Sequence, residues 1–123
     1  VKLPPLPVAS AGQNTTIGVV ATNAVLTNAQ AQKIAQMSHD GFARAIRPSH
    51  AMFDGDTIFC LGTNKRKLPA TRGFFESPAA EMLTEMGRSA ADCMTRAITR
   101  GILEATSLCG IRAFRDLDAR GNA

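Results

Sequence analysis

The sequence contains no tryptophan and no tyrosine, and six phenylalanines are its only aromatic residues. Proteins that grip single strands stack bases on aromatic side chains, and nucleic-acid readers gather Lys and Arg on one face. Here fourteen Lys and Arg against ten Asp and Glu leave a formal net charge of +4, spread along the chain. Nucleic acid is therefore not an expected partner. Long apolar runs are missing too, which excludes a membrane-spanning helix and makes a membrane partner unexpected. Val1-Lys2-Leu3-Pro4-Pro5 has no apolar h-region, so the sequence is read without a signal peptide. The three cysteines form no CxxC and the two histidines no HxxxH, so neither a metal nor another cofactor is expected. Cys60 and Cys93 lie in apolar stretches, and the simplest expectation is buried thiols in a reducing, cytoplasmic compartment.

What is present is enough for one core: 123 residues, 45% of them hydrophobic. Residues 1–14 hold three prolines and no periodicity, and read as a linker. Residues 16–23, Thr-Ile-Gly-Val-Val-Ala-Thr-Asn, are β-branched or apolar at nearly every position, the pattern of a strand buried on both faces. Thr27-Asn28-Ala29-Gln30 fits a capping box. Ile34, Met37, Gly41 and Ala45 then recur at helical steps, with Phe42 and Ile46 beside them, through Arg47, before Pro48 stops the helix. A second buried strand is expected over 56–63, followed by a basic loop, Asn64-Lys65-Arg66-Lys67. Ser77-Pro78 caps a second helix running to about residue 106, whose face is rich in methionine and reads as core. From Phe114 the chain is charged and is expected to fray. Strand, helix, strand, helix is an α+β order, but two strands apolar on both faces do not make a self-sufficient sheet. Further strands are expected from elsewhere.

Two local features carry chemistry. At Gln13-Asn14-Thr15-Thr16 a hydroxyl held at a strand start follows a carbonyl in a small-residue, flexible segment. Attack of the Thr15 hydroxyl on the Asn14 carbonyl, an N-to-O acyl shift, and hydrolysis of the ester would release a chain beginning at Thr15. A free N-terminal threonine is a competent nucleophile, because its own α-amine, with an ordinary pKa of about 7.7–8.0, lies beside the hydroxyl as a base. Taken alone, the Asn-Thr pair reads as a turn entering β structure. The second feature is Asp54-Gly55-Asp56, two carboxylates two positions apart where the second strand begins. On extended backbone both project from one face, where they repel, titrate as a unit and can orient a hydroxyl or relay a proton. Without Thr15 this too would read as a turn.

Residues 14–23, then Ala43-Arg44-Ala45-Ile46-Arg47-Pro48, His50 and Phe53-Asp54-Gly55-Asp56-Thr57, agree in order and spacing with a known family. The sequence resembles the DmpA-type aminopeptidases, which include β-peptidyl aminopeptidases and NylC-type hydrolases of nylon oligomers. The likeness runs from about Gln13 to Thr106 and is to the threonine-nucleophile branch. It implies an inactive precursor that cleaves itself at Asn14–Thr15, with Thr15 the nucleophile and Asp54 and Asp56 its acidic neighbours. It also implies a four-layer αββα sandwich, similar to N-terminal nucleophile hydrolases, of which this chain is the β-subunit part. The α-subunit from the same precursor would supply the remaining layers and the oxyanion contact, and αβ units would assemble into a higher oligomer. On this reading residues 1–14 precede the cleavage site, 15–106 form the β-subunit, and 107–123 are a C-terminal extension.

Other residues have both structural and functional readings. Thr16 and Asn23 are possible site-lining groups, though strand propensity accounts for Thr16. His50 matches a family position and could touch substrate or bond Asp54. His39 reads as a partly exposed helix residue. Arg44 and Arg47 suit the negative end of the first helix. The expected activity is a self-processing amidohydrolase or aminopeptidase acting on small peptides or amides. Acyl transfer on the same scaffold, a never-cleaved assembly module, and a basic RNA-binding protein are the alternatives.

Overall fold

A computed structural model describes residues 15–70 and 77–117. The linker segment, including Asn14, lies outside the described residues. Four main elements follow one another: strand β1 (Ile17–Ala24), helix α1 (Asn28–Ala45), strand β2 (Thr57–Arg66) and helix α2 (Pro78–Glu104). β1 and β2 pair in parallel, Ile17 opposite Thr57 through Thr22 opposite Gly62, as the helical crossover between them requires.

The helix starts form as their caps dictate. The Thr27 hydroxyl accepts from Gln30 N while the Gln30 side chain accepts from Thr27 N. The Ser77 hydroxyl accepts from Ala80 N, with Pro78 in the first turn. α1 ends at Ala45 rather than running through Arg47. Pro48 bars the preceding residue from helical backbone, and Ile46 is already extended. β2 in turn runs to Arg66, so the expected basic loop is partly strand. A bulge after Thr22 returns the ladder to an Ala24–Arg66 pair, and Val25 N donates to Arg66 O at 2.7 Å. Asn64, at φ 56°, takes up the irregularity.

Both helices lie on one face of the sheet. Phe42 of α1, Ile58 of β2 and Met94 of α2 form the core, with Val20, Ala35, Ile46 and Ile98 around them. The helices approach closely at Gly41, where a Cβ would stand 2.5 Å from the Ala91 carbonyl oxygen. Arg44 bonds Asp92 across the same crossing at 2.6 Å, a structural role. The other sheet face carries Ile17, Val19, Phe59 and Leu61, each more than half exposed. Among the described residues two helices supply one covering layer only, which agrees with the expectation that this pair of strands needs further layers from elsewhere. The expectation of buried thiols is corrected, since Cys60 is half-buried and Cys93 and Cys109 are exposed.

Beyond α2 the chain turns back. Arg115 donates to the Leu103 carbonyl, and Asp116 accepts from Ser107, which holds Phe114–Asp116 in a 3-10 turn; the rest of the stretch expected to fray, 118–123, lies outside the described residues. No described helix is long and apolar enough to cross a membrane.

Candidate active site

Parallel pairing places the starts of β1 and β2 side by side, so residues far apart in sequence meet at one end of the sheet. Thr57 N donates to Thr16 O at 3.0 Å, and Thr16 N donates to Asp56 Oδ1 at 2.9 Å. The other Asp56 oxygen, Oδ2, accepts from His50 twice, from its backbone N at 3.2 Å and from Nδ1 at 2.8 Å. The Asp56 side chain is 5% exposed. Burial by itself would raise its pKa; the bonds from Thr16 N, His50 N and the His50 imidazole outweigh that and hold the carboxyl below its ordinary value. Asp56 is therefore an anion with both oxygens engaged.

Asp54 sits differently. Its Oδ2 accepts from Ala51 N at 2.7 Å while its own N donates to Ala51 O, closing a tight turn. Gly55 lies between the two carboxylates and under the Thr15 side chain: a Cβ there would stand 2.9 Å from Thr15 Oγ1. The absence of a side chain at this position is what lets the hydroxyl approach the backbone. Thr15, Thr16, Asp54 and Asp56, with Ile46 and Pro48, line a cavity of about 250 Å³. An exposed hydroxyl, an anchored carboxylate and a second carboxylate thus share one small cleft.

Two larger cavities lie away from this chemistry. One, about 510 Å³, opens between β1 and α2 along Val19, Val20, Met82 and Met94, and the other, about 520 Å³, lies around the C-terminal turn. Their walls are largely aliphatic and bring no set of polar groups to a point, so size here tracks uncovered apolar surface.

Of the residues singled out in sequence, Thr15, Thr16, Asp54, Asp56 and His50 come together. Asn23 does not. It lies at the opposite end of β1, about 25 Å from Thr15 at the usual rise per strand residue, and does not line this cleft. His50 bonds Asp56 rather than Asp54, because the turn at Ala51 turns Asp54 towards its own backbone. His39 was not read as a site residue, yet its Nδ1 lies 3.1 Å from His50 Nε2. The available signal was position, three residues before Phe42 and next to Ser38, both fully buried. Among the described residues no cluster of His, Cys, Asp and Glu could hold a metal ion.

The sequence pattern of peptidase family S58 matches residues 4–115. The chain belongs to that family, the DmpA/NylC family. An uncharacterized aminopeptidase of Mycobacterium tuberculosis is 44% identical to this S58 chain over 106 residues, covering 85% of the chain and 31% of the relative. Its counterpart in Mycobacterium leprae is 45% identical over 103 residues, covering 82% and 28%. The 6-aminohexanoate-oligomer endohydrolase of Paenarthrobacter ureafaciens is 34% identical over 92 residues, covering 75% and 26%. The S58 chain thus spans about a third or less of the length of these relatives.

Proposed function

We propose that the chain is the β-part of a self-processing amidohydrolase or aminopeptidase whose nucleophile is Thr15. The observation that carries this reading is the seat of the Thr15 hydroxyl, on Gly55 in a cleft shared with Asp54 and Asp56. In the precursor, Thr15 Oγ1 attacks the Asn14 carbonyl carbon, the amide C–N bond breaks, and the nitrogen takes the hydroxyl proton as the ester forms. Water then hydrolyses the ester, leaving a carboxylate on Asn14 and a free amine on Thr15. That amine serves as base in turnover. Thr15 Oγ1 attacks a substrate amide, the amine departs with a proton, and water releases the acyl group from the Thr15 ester.

The two carboxylates divide the work. Asp56 is held by Thr16 N and His50, so it fixes the start of the nucleophile strand and adds negative potential beside the amine. Asp54, whose Oδ2 is held by Ala51 N, borders the same cleft as Thr15 and presents a second carboxylate to it. The names of the relatives point to substrates with accessible amide bonds, small peptides or amide oligomers. The exposed sheet face would pack on strands of an α-segment from the same precursor. That segment would complete a four-layer αββα sandwich in a hetero-oligomer and provide the oxyanion donors, whose loss typically costs about a hundred- to a thousand-fold in rate.

The test is intact mass of the whole gene product. Cleavage at Asn14–Thr15 is expected in the parent, with no cleavage and no amide turnover in a folded Thr15→Ala protein. A parent that stays full-length in every preparation would instead mark the chain as a non-catalytic assembly module.

A further inference from the structure

The side of Asp56 that faces away from Thr16 is occupied by one residue acting twice. His50 presents its backbone N–H and its imidazole Nδ1 to the same oxygen, Asp56 Oδ2, at 3.2 and 2.8 Å. An ionised carboxylate only accepts, so the proton in the shorter contact belongs to His50 Nδ1. This double grip depends on an uncommon backbone, since His50 has φ 56°, a left-handed conformation. Behind His50 the line continues. Its Nε2 lies 3.1 Å from His39 Nδ1, and both rings pack against the fully buried Phe42, with centroids 5.4 and 5.9 Å away. Two N–H groups cannot face each other at that distance, so one of these nitrogens carries the proton and the other accepts it. With His50 Nδ1 protonated towards Asp56, a neutral His50 accepts at Nε2 and His39 donates from Nδ1.

We propose that His50, oriented by His39, is a positioning residue that clamps the Asp56 carboxylate through Oδ2 so that its other oxygen, Oδ1, holds the Thr15–Thr16 backbone. This inference rests on the function proposed above. The clamp works by geometry. With Oδ2 fixed by two donors, Oδ1 has one orientation, and that orientation meets Thr16 N. Release Oδ2 and the carboxylate rotates, the Thr16 bond lengthens, and the hydroxyl one residue earlier loses its fixed line of attack. Small displacements of reacting groups are costly in rate, so a residue that never touches substrate controls the reaction through position.

Side-chain chemistry and backbone can be separated by substitution in the full-length gene product. His50→Gly keeps the left-handed backbone and the main-chain donor but removes the imidazole. His50→Asn tolerates the same backbone and places an amide N–H where Nδ1–H stood. Self-cleavage followed by intact mass is expected to slow about ten- to a hundred-fold in the glycine variant, the usual worth of a bond to a charged group, and to stay within about three-fold of the parent in the asparagine variant. Equal rates in glycine variant and parent, or an asparagine variant no faster than glycine, would overturn the clamp. A second readout does not need cleavage. In the uncleaved Thr15→Ala protein, imidazole ¹⁵N shifts should show the His50 proton on Nδ1, and a neutral His50 protonated on Nε2 instead would also overturn it. A parent that never cuts at Asn14–Thr15 while these shifts are as expected would refute the proposed function, and the rate role with it, but leave the Asp56–His50 geometry standing.

Discussion

Asp56 is the residue on which the candidate site turns, because it joins three segments: the start of β1, the His50 loop and the start of β2. Its lowered pKa ties the site to acid stability. A carboxyl whose folded-state pKa lies below its unfolded value contributes stability above the unfolded value, and that contribution is lost as pH falls through the folded one. The unfolded value is about 3.9. Parent and Asp56→Asn proteins should therefore differ by a constant margin in melting temperature above about pH 5. The margin should shrink as the pH drops through and below the ordinary carboxylate range. Parallel melting curves from pH 6 to pH 2.5 would show that the hydrogen bonds to Asp56 carry no net weight.

At the scale of elements, the site depends on how closely α1 and α2 approach, since α1 delivers His39 and leads into the Pro48–His50 loop. Gly41 sets that distance, with Ala91 O and Met94 Cβ within 2.7 Å of where its Cβ would lie. Backbone on the facing side cannot yield as a side-chain tip can. Gly41→Ala should cost about 1–3 kcal/mol, the range for overpacking a tight contact, despite alanine's better helix propensity. Urea unfolding of the full-length protein checks the sign: a gain in stability would mean that the helices move apart freely. The Arg44–Asp92 bridge at the same crossing is about half exposed at both ends and contributes little by comparison.

At the scale of the whole molecule, the sheet is finished on one side only. Ile17, Val19, Phe59 and Leu61 form an apolar surface on a two-stranded sheet whose outer edges pair with no other strand among the described residues. Such a surface seeks cover. Residues 15–123 produced alone should self-associate, seen by sedimentation, and should return to a defined complex when co-produced with the upstream part of the gene product. A lone chain that remains monomeric at high concentration would show that these faces need no second layer.

Much of this was legible in the chain itself, and the reason is locality. The capping box at Thr27–Gln30, the Ser77-Pro78 start and the β-branched run of β1 act within a few residues, so side-chain and backbone preferences decide them directly. Thr15, Asp54 and Asp56 could be singled out as candidates because they stand at strand starts, a one-dimensional property, and because the pattern around them resembles a family; that they share one cleft came from the fold. Only tertiary structure decided which partners meet. Parallel pairing brought Thr16 to Asp56, a left-handed residue aimed His50 at Asp56 and not at Asp54, and the turn of α1 put His39 behind it. The same holds for the sheet. An apolar run looks alike whether one face or both are covered, since what covers a face is decided by other segments, and here two helices cover just one.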